Sequence, residues 1–124
     1  MSTSRDPDAW LPLTPALFYV LVALADEEKH GYAIIKDVAA LTSDSVRLSS
    51  GTLYGIIKRL LDDGLVVELR RRPEGDVRRR YYSLTADGRE VLRAEARRLQ
   101  SLVTLAQEKR VLAPARRLAP GRTR

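Results

Sequence analysis

Within SSGTLYGIIKRLLDDG, from Ser49 to Gly64, the residues Ser50, Gly51, Thr52, Tyr54 and Lys58 form a set suited to hydrogen bonding with a polyanion that has readable edges. A threonine can touch a thymine methyl or a base edge, and a lysine can reach guanine acceptors or a phosphate. Backbone N–H groups at Ser50 and Gly51 can meet a phosphate where a helix begins. A second set is Arg70, Arg72, Arg78 and Arg80, which with Arg71 and Arg79 flank Pro73-Glu74-Gly75-Asp76. Guanidinium groups there suit phosphate oxygens or a minor groove. Other chemistry is poorly supplied. Without cysteine there are no disulfides or thiolate sites, and one histidine leaves little for a metal or a histidine-based triad. That histidine, His30, stands beside Gly31 at a helix entrance with no nucleophile or carboxylate pair nearby, which favours a structural role. The sequence therefore predicts no catalytic residue, no metal and no cofactor.

The charge agrees with a polyanionic partner, although its distribution says more than its sum. The net charge is +6 over 124 residues. Four positive charges, Arg116, Arg117, Arg122 and Arg124, fall in the last twelve residues with no acid among them, so the first 112 carry only +2. The length fits one domain with a modest core.

The elements that must position these side chains can be read from periodicity. In the stretch 49–64, Leu53, Ile56, Ile57, Leu60 and Leu61 recur at helical spacing, Ser49 or Ser50 can cap the start, and Gly64 stops it. Its polar face carries Thr52, Tyr54, Lys58 and Arg59. Alone, this helix reads equally well as a DNA major-groove reader or as an ordinary amphipathic surface helix. Upstream, residues 1–9 read as a disordered lead. Thr14-Pro15 opens a buried helix over the apolar run Ala16–Ala25, ending near Glu27. The run imitates a signal peptide, but its flank is acidic, and ten residues are too few to span a bilayer. After Lys29-His30-Gly31-Tyr32 a second helix turns Ile34, Ile35, Val38 and Leu41 inward, and 42–48 is a turn.

Beyond Gly64 the period changes to two. Leu65–Arg72 and Val77–Thr85 read as a two-stranded hairpin, with Tyr81 and Tyr82 on opposite faces. Its arginines suit a wing against DNA, or a solvated edge kept apart by charge. Thr85 to Gln107 is again helical, and Leu92, Ala96, Leu99, Val103 and Ala106, with Leu102 beside them, trace a short coiled-coil seam. That seam is a dimer contact, or the helix folds back on its own domain. From Ala113 the chain reads as a disordered basic tail.

The expected fold is thus mainly α with a small β-hairpin: a winged helix-turn-helix domain over 10–85 and a C-terminal dimerisation helix over 86–112, between a lead at 1–9 and a tail at 113–124. The chain resembles the PadR family of bacterial transcriptional regulators. The resemblance rests on Leu13-Thr14-Pro15, His30-Gly31-Tyr32, Gly51-Thr52-Leu53-Tyr54, Asp63-Gly64-Leu65-Val66, and Arg79 to Thr85 with Gly88. It implies a cytoplasmic homodimeric repressor on double-stranded DNA, bound to a pseudo-palindromic operator and released by a signal such as a small-molecule effector, with no membrane role. Two positions depart from the family pattern. Many members have proline where this chain has Gly55, and some hold flat aromatic compounds with a tryptophan of the last helix, whereas 86–112 contains no aromatic residue. The rival reading is a winged-helix module that binds protein without sequence-specific DNA binding.

Overall fold

The structure, a computed structural model, describes residues 6–71 and 79–114. Thr14 Oγ1 accepts from the Leu17 N–H at 3.2 Å and Pro15 follows it, so α1 (Pro15–Ala23) starts where the sequence predicts. It stops before the expected Glu27. The reason is Lys29, whose buried ammonium lies 2.6 Å from the Ala23 carbonyl oxygen and 2.7 Å from Asp26 Oδ1, holding the intervening residues in a turn. Part of the expected lead is ordered. Pro7–Trp10 forms a 3-10 turn capped by Asp6, so disorder over the whole of 1–9 does not hold for Pro7, Asp8 and Ala9.

Lys29 and His30 form β1 (Lys29–His30), a strand too short for any period to reveal. His30 then caps α2 (Gly31–Leu41), its Nδ1 accepting from the Ala33 N–H at 3.3 Å. Ile34 and Val38 are buried as expected, but Leu41 is 55% exposed. It stands on the same face as Ile34, seven residues on, but it is the last residue of α2 and so lies at the end of the packed stripe. The turn to α3 (Ser50–Asp62) is closed by the Thr42 hydroxyl, which donates to the Val38 carbonyl at 2.8 Å and accepts from the Val46 N–H at 3.1 Å.

Ser49 is the cap of α3, its Oγ accepting from the Thr52 N–H at 3.1 Å. At the other end Gly64 adopts φ 75°, and the N–H groups of Gly64 and Leu65 return to the carbonyls of Leu61 and Leu60. Only glycine takes that left-handed conformation without strain. The chain then enters β2 (Val66–Arg71) and β3 (Arg79–Leu84), paired antiparallel with Glu68 opposite Tyr82 and Arg70 opposite Arg80. The hairpin is not alone: β1 adds to β3, giving a sheet of order β1-β3-β2 with His30 opposite Tyr81. Thr85 caps α4 (Ala86–Glu108), its Oγ1 accepting from the Gly88 N–H at 2.9 Å.

One core joins these elements. Leu17, Val20 and Leu21 of α1 meet Ile34 and Val38 of α2, Leu53, Ile57 and Leu60 of α3, then Leu65, Val66 and Tyr82 of the sheet and Val91 of α4. Each buried aliphatic side chain stabilises the fold by about 1.5–3 kcal/mol before entropy is counted. Tyr82 is buried and Tyr81 half-buried, on opposite faces as expected. Gly88 lets α4 sit against the strand entrance: a Cβ there would lie 2.0 Å from the Leu65 carbonyl oxygen.

Candidate nucleic-acid interface

The stripe Leu53-Ile57-Leu60 faces inward, which turns Ser50, Gly51, Thr52, Tyr54 and Lys58 outward; all five are exposed. Thr52 Oγ1 accepts from the Ser49 hydroxyl at 3.0 Å, so its own hydrogen remains able to donate. Lys58 Nζ lies 3.1 Å from Asp62 Oδ2, an exposed i,i+4 pair that contributes little and yields readily to another anion. Tyr54 differs from the others. Its ring leans over the first turn of α2, and only the missing side chain of Gly31 admits it: a Cβ there would meet Tyr54 Oη at 2.2 Å.

Tyr54 thereby joins His30, Gly31, Tyr32, Arg79 and Arg80 around a surface concavity of about 510 Å³. The first N–H groups of a helix have no intrahelical acceptors. In α2 the Ala33 N–H is taken by His30, while Gly31 and Tyr32, the first two residues, line this concavity with Tyr54 and two arginines. Tyr32 is 65% exposed, with the Lys36 ammonium 5.5 Å from its ring centroid. Two guanidinium groups and a tyrosine hydroxyl there are hydrogen-bond donors of the kind that suit phosphate oxygens. His30 contributes as a neutral ring: burial first, and then the Arg79 charge, hold its pKa below the usual histidine value. Its edge-to-face contact with Tyr81, 5.4 Å between centroids, fixes the ring.

Among the hairpin arginines, Arg70 and Arg80 share one face with Glu68, at 3.2 and 3.9 Å. Arg71 forks onto Glu28 at 2.7 and 2.9 Å, which ties β2 to the loop before β1 and holds the Glu28 carboxyl below its usual pKa. Arg72 and Arg78 lie outside the described residues, as does the basic tail beyond Pro114. The sequence placed weight on the reader helix and the hairpin; it missed His30 and Tyr32 as neighbours of that surface. Their signal was present in His30-Gly31-Tyr32, an aromatic and a glycine at a helix entrance.

The expected seam on α4 is divided by the structure. Leu92 packs against the protomer's own core and so does not begin a free seam, while Ala96 is exposed. Leu99 is half-buried and lines an apolar concavity of about 310 Å³ with Leu13, Pro15, Phe18, Tyr19, Glu95 and Arg98. Ala106 is half-buried, and Leu102, Val103 and Leu105 are 48%, 40% and 57% exposed. The helix ends at Glu108, short of 112, and Arg110 follows with φ 62°.

The family model described as the transcriptional regulator PadR-like family matches residues 20–94 of this chain. A transcriptional regulator of Mycobacterium tuberculosis, Rv3488, is 37% identical over 84 residues, 68% of this chain and 75% of that protein. The chain belongs to the PadR-like family. It is a winged-helix, DNA-binding transcriptional regulator and not an enzyme. Among solved structures, a PadR family regulator from Clostridium difficile R20291 has a TM-score of 0.65 at 23% identity, covering 75% of this chain and 95% of that one. Bacillus subtilis PadR, solved in complex with operator DNA, has a TM-score of 0.58 at 20% identity, covering 65% of this chain and 46% of that one. These TM-scores show a shared fold. Among the described residues of the PadR-like chain, no helix is long and apolar enough to cross a membrane.

Proposed function

We propose that this PadR-like protein is a homodimeric repressor, acting in the cytoplasm, that grips a pseudo-palindromic operator on double-stranded DNA. Ser50, Gly51, Thr52 and Lys58 read base edges from α3. Tyr54, the α2 entrance and the hairpin arginines, Arg70, Arg72, Arg78 and Arg80 among them, hold phosphates or the minor groove. One observation carries this reading: Tyr54 of α3 and Arg79 and Arg80 of β3 line the same concavity, so reader helix and wing border one cationic surface. Support for the dimer comes from the exposed Leu102, Val103 and Leu105, an apolar face on a helix whose upstream half already completes the protomer core. A second copy covers that face. Release follows a signal, such as a small molecule, that changes how the two copies sit.

The test is selection of genomic fragments with the purified protein, followed by mobility shift with the selected and with mixed DNA at moderate salt. The proposal expects paired half-sites and a shift at lower protein concentration for selected DNA. Equal or absent shifts with both would overturn it. In sedimentation, Leu102→Asp should give a folded monomer with weakened operator binding, because an unpaired carboxylate cannot be buried cheaply and two half-sites no longer act together.

A further inference from the structure

Residues 10–13 form a short strap between the reader helix and the long helix. At one end the Trp10 indole Nε1 donates to Asp63 Oδ2 at 3.2 Å, and Asp63 is the residue that closes α3. At the other the Leu13 N–H donates to Glu95 Oε2 at 3.1 Å. Glu95 is 2% exposed, and among the described residues it is one of two buried charged side chains, with Lys29. Arg98, one turn along the same helix, forks onto it at 2.6 and 2.9 Å and fixes the direction of the carboxylate.

Resting on the homodimer reading, we infer that Glu95 is a positioning residue that sets which spacing of half-sites the dimer accepts. Helix α4 is fastened to the body at Gly88, Val91 and Glu95, and among the described residues none beyond Glu95 is fully buried. Glu95 is therefore the last fully buried point of the helix, and Leu99, one turn on, is only half-buried beside Leu13 and Phe18. From there to Glu108 the arm is about 20 Å long at 1.5 Å per residue. A swing of about 10° about Glu95 moves its tip by about 3.4 Å, the rise of one base pair. An aliphatic side chain would fill the same space without direction. The carboxylate instead binds the strap through a directional hydrogen bond, and the strap is tied to the end of the reader helix.

The experiment uses the full chain and duplexes carrying the selected operator with its half-sites moved apart or together by one and two base pairs. Binding is measured for the unaltered protein, Glu95→Ala, Asp63→Ala and Glu95→Gln, along with a single half-site and the dimer by sedimentation. The unaltered protein should favour the selected spacing by about tenfold or more, on the scale of one mismatched base pair. Glu95→Ala should flatten that preference to about two- or threefold, Asp63→Ala should weaken it less, and Glu95→Gln, which still offers an oxygen to Leu13, should restore part of it. Single half-site affinity and dimerisation should be unchanged. If Glu95→Ala unfolds, Asp63→Ala and Glu95→Gln decide, and an undiminished preference in both overturns the inference. A dimeric Glu95→Ala that keeps the full preference also overturns it, while leaving the dimeric repressor intact. Indifference of the unaltered protein to spacing removes the dimeric operator reading, and this inference with it.

Discussion

A side chain on Gly31 and the hydroxyl of Tyr54 cannot occupy their places together, since the Cβ would lie 2.2 Å from Oη and 2.8 Å from Cζ. The neighbour is the far end of a side chain, so Gly31→Ala should fold, with Tyr54 swung out of the concavity. We predict a loss of about 1 kcal/mol in operator affinity, with unfolding changed by less. Titration with operator DNA beside thermal unfolding checks it; unaltered affinity would show that Tyr54 contributes nothing from this position.

Gly88 meets backbone instead. Its missing Cβ would stand 2.0 Å from the Leu65 carbonyl oxygen, which already accepts from the Thr85 N–H at 3.1 Å, so neither strand entrance nor helix can yield alone. Gly88→Ala should cost about 1–3 kcal/mol or more of stability, read as a lowered denaturant midpoint.

Gly55 is the opposite case, a glycine inside α3 with open space where a Cβ would go. Gly55→Ala should raise stability by about 1 kcal/mol through helix propensity, with an unchanged denaturant slope. A fall in stability would mean that the first turns of α3 need the freedom that glycine gives.

The fork from Arg98, ahead of the opposing effect of burial and with help from the Leu13 N–H, holds the Glu95 carboxyl below its usual pKa. A group with a lowered folded pKa stabilises fully above its unfolded value and ceases to do so as pH falls through the folded one. Glu95→Gln should therefore show a shallower loss of stability on acidification below the ordinary glutamate range than the unaltered protein. Denaturant unfolding at a series of pH values measures it; parallel acid limbs would contradict the assignment.

Much of this architecture was legible in the sequence because helices of ten or more residues repeat their apolar stripe several times. The stripe of α3, the Thr14-Pro15 start of α1, the Thr85 cap and the arrest at Gly64 all follow from local rules. What escaped depends on contacts between distant residues. Two residues of β1 gain strand character only by meeting Tyr81 and Tyr82, and α1 ends early only because Lys29 returns to Ala23. Nothing local distinguishes Glu95 from the other charges of its helix, and its burial depends on Leu13, 82 residues away. Tyr54 could be assigned to the outer face of its helix, but its partnership with Gly31 required the fold.

The central claim, that α3 reads sequence while the wing supplies general attraction, is tested most directly by Thr52→Ala, Lys58→Ala and Arg80→Ala, each measured on operator and on random DNA across a salt series. Thr52→Ala and Lys58→Ala should lower operator affinity by about 1–3 kcal/mol and leave random-sequence binding nearly intact. Arg80→Ala should weaken both DNAs by similar factors and reduce the salt slope by roughly one unit. If the α3 substitutions instead lower both affinities equally, α3 is not the sequence reader and the docking proposed here is wrong.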